Sequence, residues 1–195
     1  QIIFARGHNL FLMDAASYAL AQKKADDKNI KEVQLTTDGE EHYSYGSNLP
    51  EEMKKEFQKD EKDRKDYRIP PTRISWAKDS MKFSVIRTDS RKVADLWVIN
   101  SLSVPRPTLE TYRYGMPGEE NQPQEELYIF DIASKARIKV KADAFKDQTI
   151  TIATDKVTAR DREHEKVFEK WAADKSDRLY FTRSSRDRHK VDVCV

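Results

Sequence analysis

Several things are scarce in this 195-residue sequence, and each scarcity excludes a class of protein. A single cysteine, Cys194, cannot close an internal disulfide; in the apolar run "KVDVCV" it reads as a small core residue. The five glycines are Gly7, Gly39, Gly46, Gly115 and Gly118. No pair of them brackets a serine as G-x-S-x-G, and none builds a phosphate-binding loop, so a serine nucleophile of that kind and nucleotide-loop chemistry are both excluded. His8, His42, His164 and His189 stand alone, and "EHEK" lacks the second histidine of H-E-x-x-H. No metal and no cofactor is expected. No apolar run approaches the roughly 18 residues of a membrane-spanning helix, and no basic, apolar, small-residue leader is visible. An excess of positive charge is also missing. Lys plus Arg number 36 against 34 Asp plus Glu, a net charge of +2, which argues against a dedicated nucleic-acid binder.

What is present is material for a core and a large charged surface. Hydrophobic residues make up 37% and charged residues 36%, against about 25% charged in an average globular chain. Eight Phe, eight Tyr and three Trp are too many core-formers for a disordered chain. The sequence opens on "QIIFAR" and closes on "KVDVCV", both strand patterns, which reads as an interior portion of a longer polypeptide.

A repeated shape organises the rest: an apolar strand, a polar turn and a second apolar strand. It is found in "IIFARGHNLFLMD" turning at Gly7-His8-Asn9, in "FSVIRTDSRKVADLWVIN" turning over Asp89 to Ala94, and in "LYFTRSSRDRHKVDVCV" turning over Ser184 to Lys190. The first strands end on Arg6, Arg87 and Arg183. A fourth hairpin, "ELYIFDIASKARIKV", turns at Ala133-Ser134-Lys135 with alternating apolar flanks. "VQLTTDG", Val33 to Gly39, is another short strand entering a turn. Trp-containing strands precede the second and third hairpins, in "ISWAKDSMKF" and "EKWAADKSD". "KVFEKW" could be a helix face or a strand; the repeat decides for the strand. Short antiparallel strands with regular turns build a sandwich, a barrel or a propeller.

Two stretches interrupt the pattern. Leu49 to Pro71 is highly charged; Pro50 before Glu51-Glu52 suits a helix start, and a helix is predicted over about 50–68. "VPRPTLETYRYGMPGEENQPQ", about 104–124, carries four prolines and reads as an extended connector with Tyr112 and Tyr114 on its surface.

This ordered set resembles the N-terminal β-propeller of dipeptidyl peptidase IV-like serine peptidases of the prolyl oligopeptidase family. "ISWAKDSMKFSVIRTD" looks like that family's W-S-P-D-G/S-K-K-F-A strand and turn. "PTLETYRYGMPGEENQPQEELYIFDIAS" looks like its tyrosine-rich connector and following strand, and "RLYFTRSSRDRHKVDVCV" is similar to its next blade. The resemblance implies an all-β fold over 1–195: several blades of an incomplete propeller with one inserted charged helix, and the catalytic domain absent. It implies a parent that is a periplasmic or secreted serine exopeptidase. In that parent the propeller gates and binds peptide substrates for an α/β-hydrolase domain of the same polypeptide.

Relatives with dipeptide-releasing activity carry paired glutamates shortly before the Trp strand, and the resemblance implies carboxylates there that hold the substrate's ammonium. Here the usual interval before Trp76 falls at Lys65-Asp66. The candidates are therefore Glu51, Glu52 and Glu56, which otherwise read as a solvated acidic helix start. Exposed strand edges of an open set of blades predict a homo-oligomer. The alternative function is a stand-alone propeller that binds a protein or peptide and does no chemistry.

Overall fold

The structure is a computed structural model and describes residues 1–47, 67–160 and 165–195. Among these residues three sheets carry the fold, together with a two-stranded ribbon.

The first sheet contains β1 (Ile2–Arg6), β2 (Asn9–Met13) and β3 (Glu32–Gln34) in the order β1-β2-β3. β1 and β2 are joined by Gly7 and His8, both with positive φ (51° and 69°), so a two-residue turn of the primed type closes the expected hairpin. Gly39 is required nearby: a Cβ there would sit 2.1 Å from the backbone oxygen of His8.

After β2 comes a helix the repeat gave no reason to expect, α1 (Ala15–Lys23). Asp14 caps it by accepting from the Ser17 amide at 2.6 Å, and Lys23 sits in its last turn, where the helix carbonyls favour a cation.

The central sheet is built on β4 (Ile74–Trp76), β5 (Lys82–Asp89), β8 (Gln124–Asp131) and β9 (Arg137–Lys139), adjacent in that order. β4 and β5 are joined by the polar turn at Asp79-Ser80, where Asp79 accepts from the Met81 amide at 2.8 Å and Ser80 takes φ 58°. The β8–β9 hairpin turns as expected, with Asp131 accepting from both the amide and the hydroxyl of Ser134 at 2.8 Å. The sheet continues on the free side of β4 through β12 (Glu165–Trp171) and β11 (Thr154–Arg160), with β12 parallel to β4.

The third sheet has the order β10-β13-β14: β10 (Thr149–Ile152), β13 (Phe181–Ser184) and β14 (Val191–Cys194). Its β13–β14 hairpin is the expected third repeat. The ribbon is β6 (Asp95–Asn100) paired with β7 (Thr108–Arg113).

Alternation along β5 and β8 explains why three sheets stack. Phe83, Val85, Tyr128 and Phe130 pack with Ile3, Leu10, Leu12 and Tyr45 of the first sheet and its following segment. Ile86 and Leu127 face the other way, into a second cluster with Ile150, Phe181 and Trp171. The central sheet is thus covered on both faces. Phe83 and Phe130 lie opposite in register and stack at 4.9 Å with rings 1° from parallel.

Two expected pairings are corrected. β5 does not form a hairpin with the strand after it: its partners are β4 and β8, and β6 pairs with β7 instead. A strand buried on both faces needs apolar neighbours in register. β8 supplies Leu127, Tyr128 and Phe130, whereas β6 is exposed over most of its length. The stretch read as a connector accordingly contains β7, with Tyr112 and Tyr114 about half exposed.

The second correction concerns the echo around Trp171. "EKVFEKW" is a strand, as expected, but it does not head the blade of β13; it lies beside β4, and β10 takes the place next to β13. The buried Trp171 indole donates to the Ser75 carbonyl at 3.1 Å and to Ser84 Oγ at 3.3 Å, tying it to the central sheet. The helix expected over about 50–68 lies outside the described residues, apart from Tyr67 and Arg68.

Candidate functional site

A cluster of charged and aromatic groups forms where the segment after the first sheet crosses β5 and β8. Its centre is Arg87, whose side chain is fully buried. A buried guanidinium is tolerated only when its donors are paired, and this one is. Nη1 donates to Asp38 Oδ2 at 3.0 Å, Nη2 to the Asp38 carbonyl at 2.6 Å, and Nε and Nη2 to the Tyr43 carbonyl at 3.1 and 2.7 Å. The rings of Tyr43 and Tyr45 lie 3.1 and 4.1 Å from its central carbon, so the cation also meets two π faces.

Around Arg87 the network closes. Arg137, from β9, donates to Asp38 Oδ1 at 2.6 Å and to the Tyr45 hydroxyl at 2.7 Å. Glu126, on β8, accepts from the Tyr43 hydroxyl at 2.5 Å, the Tyr128 hydroxyl at 2.7 Å, and Lys139. Burial pushes the Asp38 and Glu126 carboxyls up, but hydrogen bonds from Arg137 and Arg87 to the first, and from Lys139, Tyr43 and Tyr128 to the second, outweigh it. Both are held below the ordinary carboxylate range. Burial raises the Tyr43, Tyr45 and Tyr128 hydroxyls.

Every one of these charges is already paired. The cluster is a clamp that fastens residues 38–45 to the central sheet. The other two arginines of the repeat share this use. Arg6 pairs with Glu32 at 2.6 Å and lies 4.4 Å over Phe11; Arg183 pairs with Asp192 at 2.8 Å and stands 6.0 Å from Phe145. Each of the three is held by a carboxylate and meets an aromatic face, although Arg87 lies inside its strand, which runs on to Asp89, and not at its end as expected.

Glu51, Glu52 and Glu56 lie outside the described residues. What the structure does give is the root of their segment. Ser47 donates through N to the Pro70 carbonyl and through Oγ to the Pro71 carbonyl, both at 2.9 Å. Ile69 exchanges backbone hydrogen bonds with Ala5 at 2.8 and 2.9 Å, and Arg68 pairs with Glu32 at 2.5 Å. The departing and returning chain are therefore pinned side by side against β1 and β3.

Among the described residues no group of three or more His, Cys, Asp or Glu is placed to hold a metal ion, and no helix is long and apolar enough to cross a membrane. Of the clamp, the sequence showed Arg87 as a strand end and Asp38 as a turn residue; Tyr43, Tyr45, Glu126, Arg137 and Lys139 were missed as partners. The available signal was an arginine inside an otherwise apolar strand, which must find a carboxylate if the strand is central.

The family described as "Dipeptidyl peptidase IV (DPP IV) N-terminal region" matches residues 1–195, the whole chain. Among solved structures, a Porphyromonas gingivalis dipeptidyl peptidase 4 is similar at 20% identity with a TM-score of 0.59, over 98% of this chain and 21% of that one. A Bacteroides ovatus protein provisionally described as a dipeptidyl aminopeptidase IV is similar at 18% identity with a TM-score of 0.52, over 86% of this chain and 19% of that one. The chain thus spans about a fifth of the length of these structures. No curated protein matches it. The likeness identifies the stacked sheets as part of a β-propeller.

Proposed function

The chain belongs to the dipeptidyl peptidase IV N-terminal region family, and on that premise we propose that it is the non-catalytic propeller portion of a periplasmic or secreted serine exopeptidase. Its role is to gate and bind peptide substrates for an α/β-hydrolase domain outside residues 1–195. The observation that carries this reading is the family match over the entire chain, together with the absence of a G-x-S-x-G sequence from it. The function rests on the family and not on the fold, since propellers serve many ends.

Within that reading, Glu51, Glu52 and Glu56 hold the ammonium of the substrate's amino terminus. The pinned root at Ser47 and Pro70–Pro71 supports this, because it ties their segment to the first sheet. The proposal includes a homo-oligomer. Trp97, Ile99 and Leu109 are 70%, 69% and 65% exposed and share one face of the β6–β7 ribbon, which supports burial against a second copy.

The test is to follow the reading frame past Val195 and assay the protein it encodes with an Ala-Pro-p-nitroanilide. A G-x-S-x-G with later Asp and His, and release of p-nitroaniline, are expected. Further blades with no such motif and no activity would overturn the reading. In the active protein, E51Q/E52Q/E56Q is expected to raise KM at least tenfold; an unchanged KM would remove these residues from the site.

A further inference from the structure

Three turns line an open cleft of about 750 Å³: Pro117–Gly118, Ala144 to Lys146, and Ser185 to Lys190. That volume lies within the roughly 300–1,000 Å³ of ligand sites. The turns are built rather than loose. The buried Gln148 side chain accepts from the Ala144 and Phe145 amides, both at 3.1 Å, and donates to the Ala142 carbonyl at 2.8 Å. Ser185 and Lys190 are tied across their turn by backbone and side-chain bonds of 2.9 and 3.0 Å.

The charge in this cleft is one-sided. Lys146, Arg186 and Lys190 face a single acid, Asp187. The Asp187 carboxylate is already occupied, accepting from Ser185 Oγ at 2.5 Å and from the His189 amide at 3.0 Å. Among the described residues Lys146 and Lys190 make no ion pair, and Arg186 makes a long one, 3.4 Å to Asp147. Phe145, half-buried, supplies an apolar wall between the cations.

A second cleft of about 220 Å³ shares Arg186 with the first and brings Glu125 and Asp147 to its lining. Together they form a groove that runs from basic to acidic past Arg186. A compact anion would need only the first cleft; a graded groove with an aromatic wall suits an extended chain.

We propose that this groove binds an extended peptide whose acidic residues occupy the cleft of Lys146, Arg186 and Lys190. The proposal does not depend on the peptidase reading.

The test is fluorescence anisotropy of the whole chain with labelled tetraglutamate, using tetralysine as the control peptide. Saturable binding of tetraglutamate alone is expected, weakened at least tenfold by K146E/K190E and several-fold by the charge-neutral F145A. R106E/K135E makes the same change in net charge at exposed positions away from the cleft and is expected to leave the affinity unchanged. Circular dichroism verifies that each variant is folded. Equal weakening by both double variants, no effect of F145A, or tighter competition by a single-stranded oligonucleotide of equal charge would overturn the proposal.

Discussion

The pairs β5–β8 and β6–β7 are both antiparallel, both rich in aromatic and β-branched residues, and both continuous in register. Yet Phe83, Val85, Leu127 and Phe130 are buried, while Trp97, Ile99 and Leu109 are mostly exposed. β-propensity alone does not distinguish the two pairs; what does is whether another layer covers each face. β5–β8 lies between two sheets. The ribbon is anchored at its base by Arg113, which donates to the Val93 carbonyl at 2.7 Å, and by the Tyr114 amide bonded to the Ala94 carbonyl at 3.1 Å. Two strands with no covering layer are marginal in water. The comparison teaches that one pair makes the fold while the other presents a surface.

The strongest way to break the comparison is to remove the same kind of side chain from each pair. Phe83→Ala leaves a cavity beside Phe130 and is expected to cost about 3–5 kcal/mol in urea unfolding. A loss under about 1 kcal/mol would mean that the central sheet is not the core. Arg87→Met removes the buried cation but leaves Asp38 with Arg137; a loss of about 3 kcal/mol is expected, at the low end for breaking a buried pair.

Acid acts on the same region. The folded Asp38 and Glu126 carboxyls are held below their unfolded values, so they favour the fold above the unfolded pKa values of about 4. That contribution is full above about pH 5 and is lost as pH falls through the lowered folded values. Urea midpoints are expected to be flat from pH 7 to 5 and to drop below 4, less steeply in D38N than in the unsubstituted protein. The smallest effect on stability belongs to the ribbon. Trp97→Ser is expected to change it by less than about 0.5 kcal/mol in dilute solution while reducing the mass measured by light scattering at high concentration.

Much of this architecture was legible from periodicity and turn chemistry. Gly7-His8, Asp79-Ser80 and Ala133-Ser134-Lys135 each marked a real turn, because their requirements are local. What failed was pairing between strands separated by long stretches of chain. β5 meets β8 across more than thirty residues, since the ribbon is inserted between them, and "DLWVIN" looked as ready to pair as "ELYIFD". The Trp171 strand was recognised as a strand, but its sheet was set by bonds to Ser75 and Ser84 nearly a hundred residues earlier. α1 was missed although Asp14 and the alanine-rich run after it are an adequate helix start. The clamp was hidden for the same reason as the pairing. Asp38, Arg87, Glu126 and Arg137 converge only once the sheets have stacked.

Amide hydrogen exchange on the intact chain, at low and high protein concentration, tests the contrast between core and ribbon most directly. Amides of β5 and β8 are expected to exchange only through global opening at either concentration. Those of β6 and β7 are expected to exchange far faster when dilute and to slow as concentration rises. Equal protection of the two pairs in dilute solution would contradict the account, because it would make the ribbon part of the core.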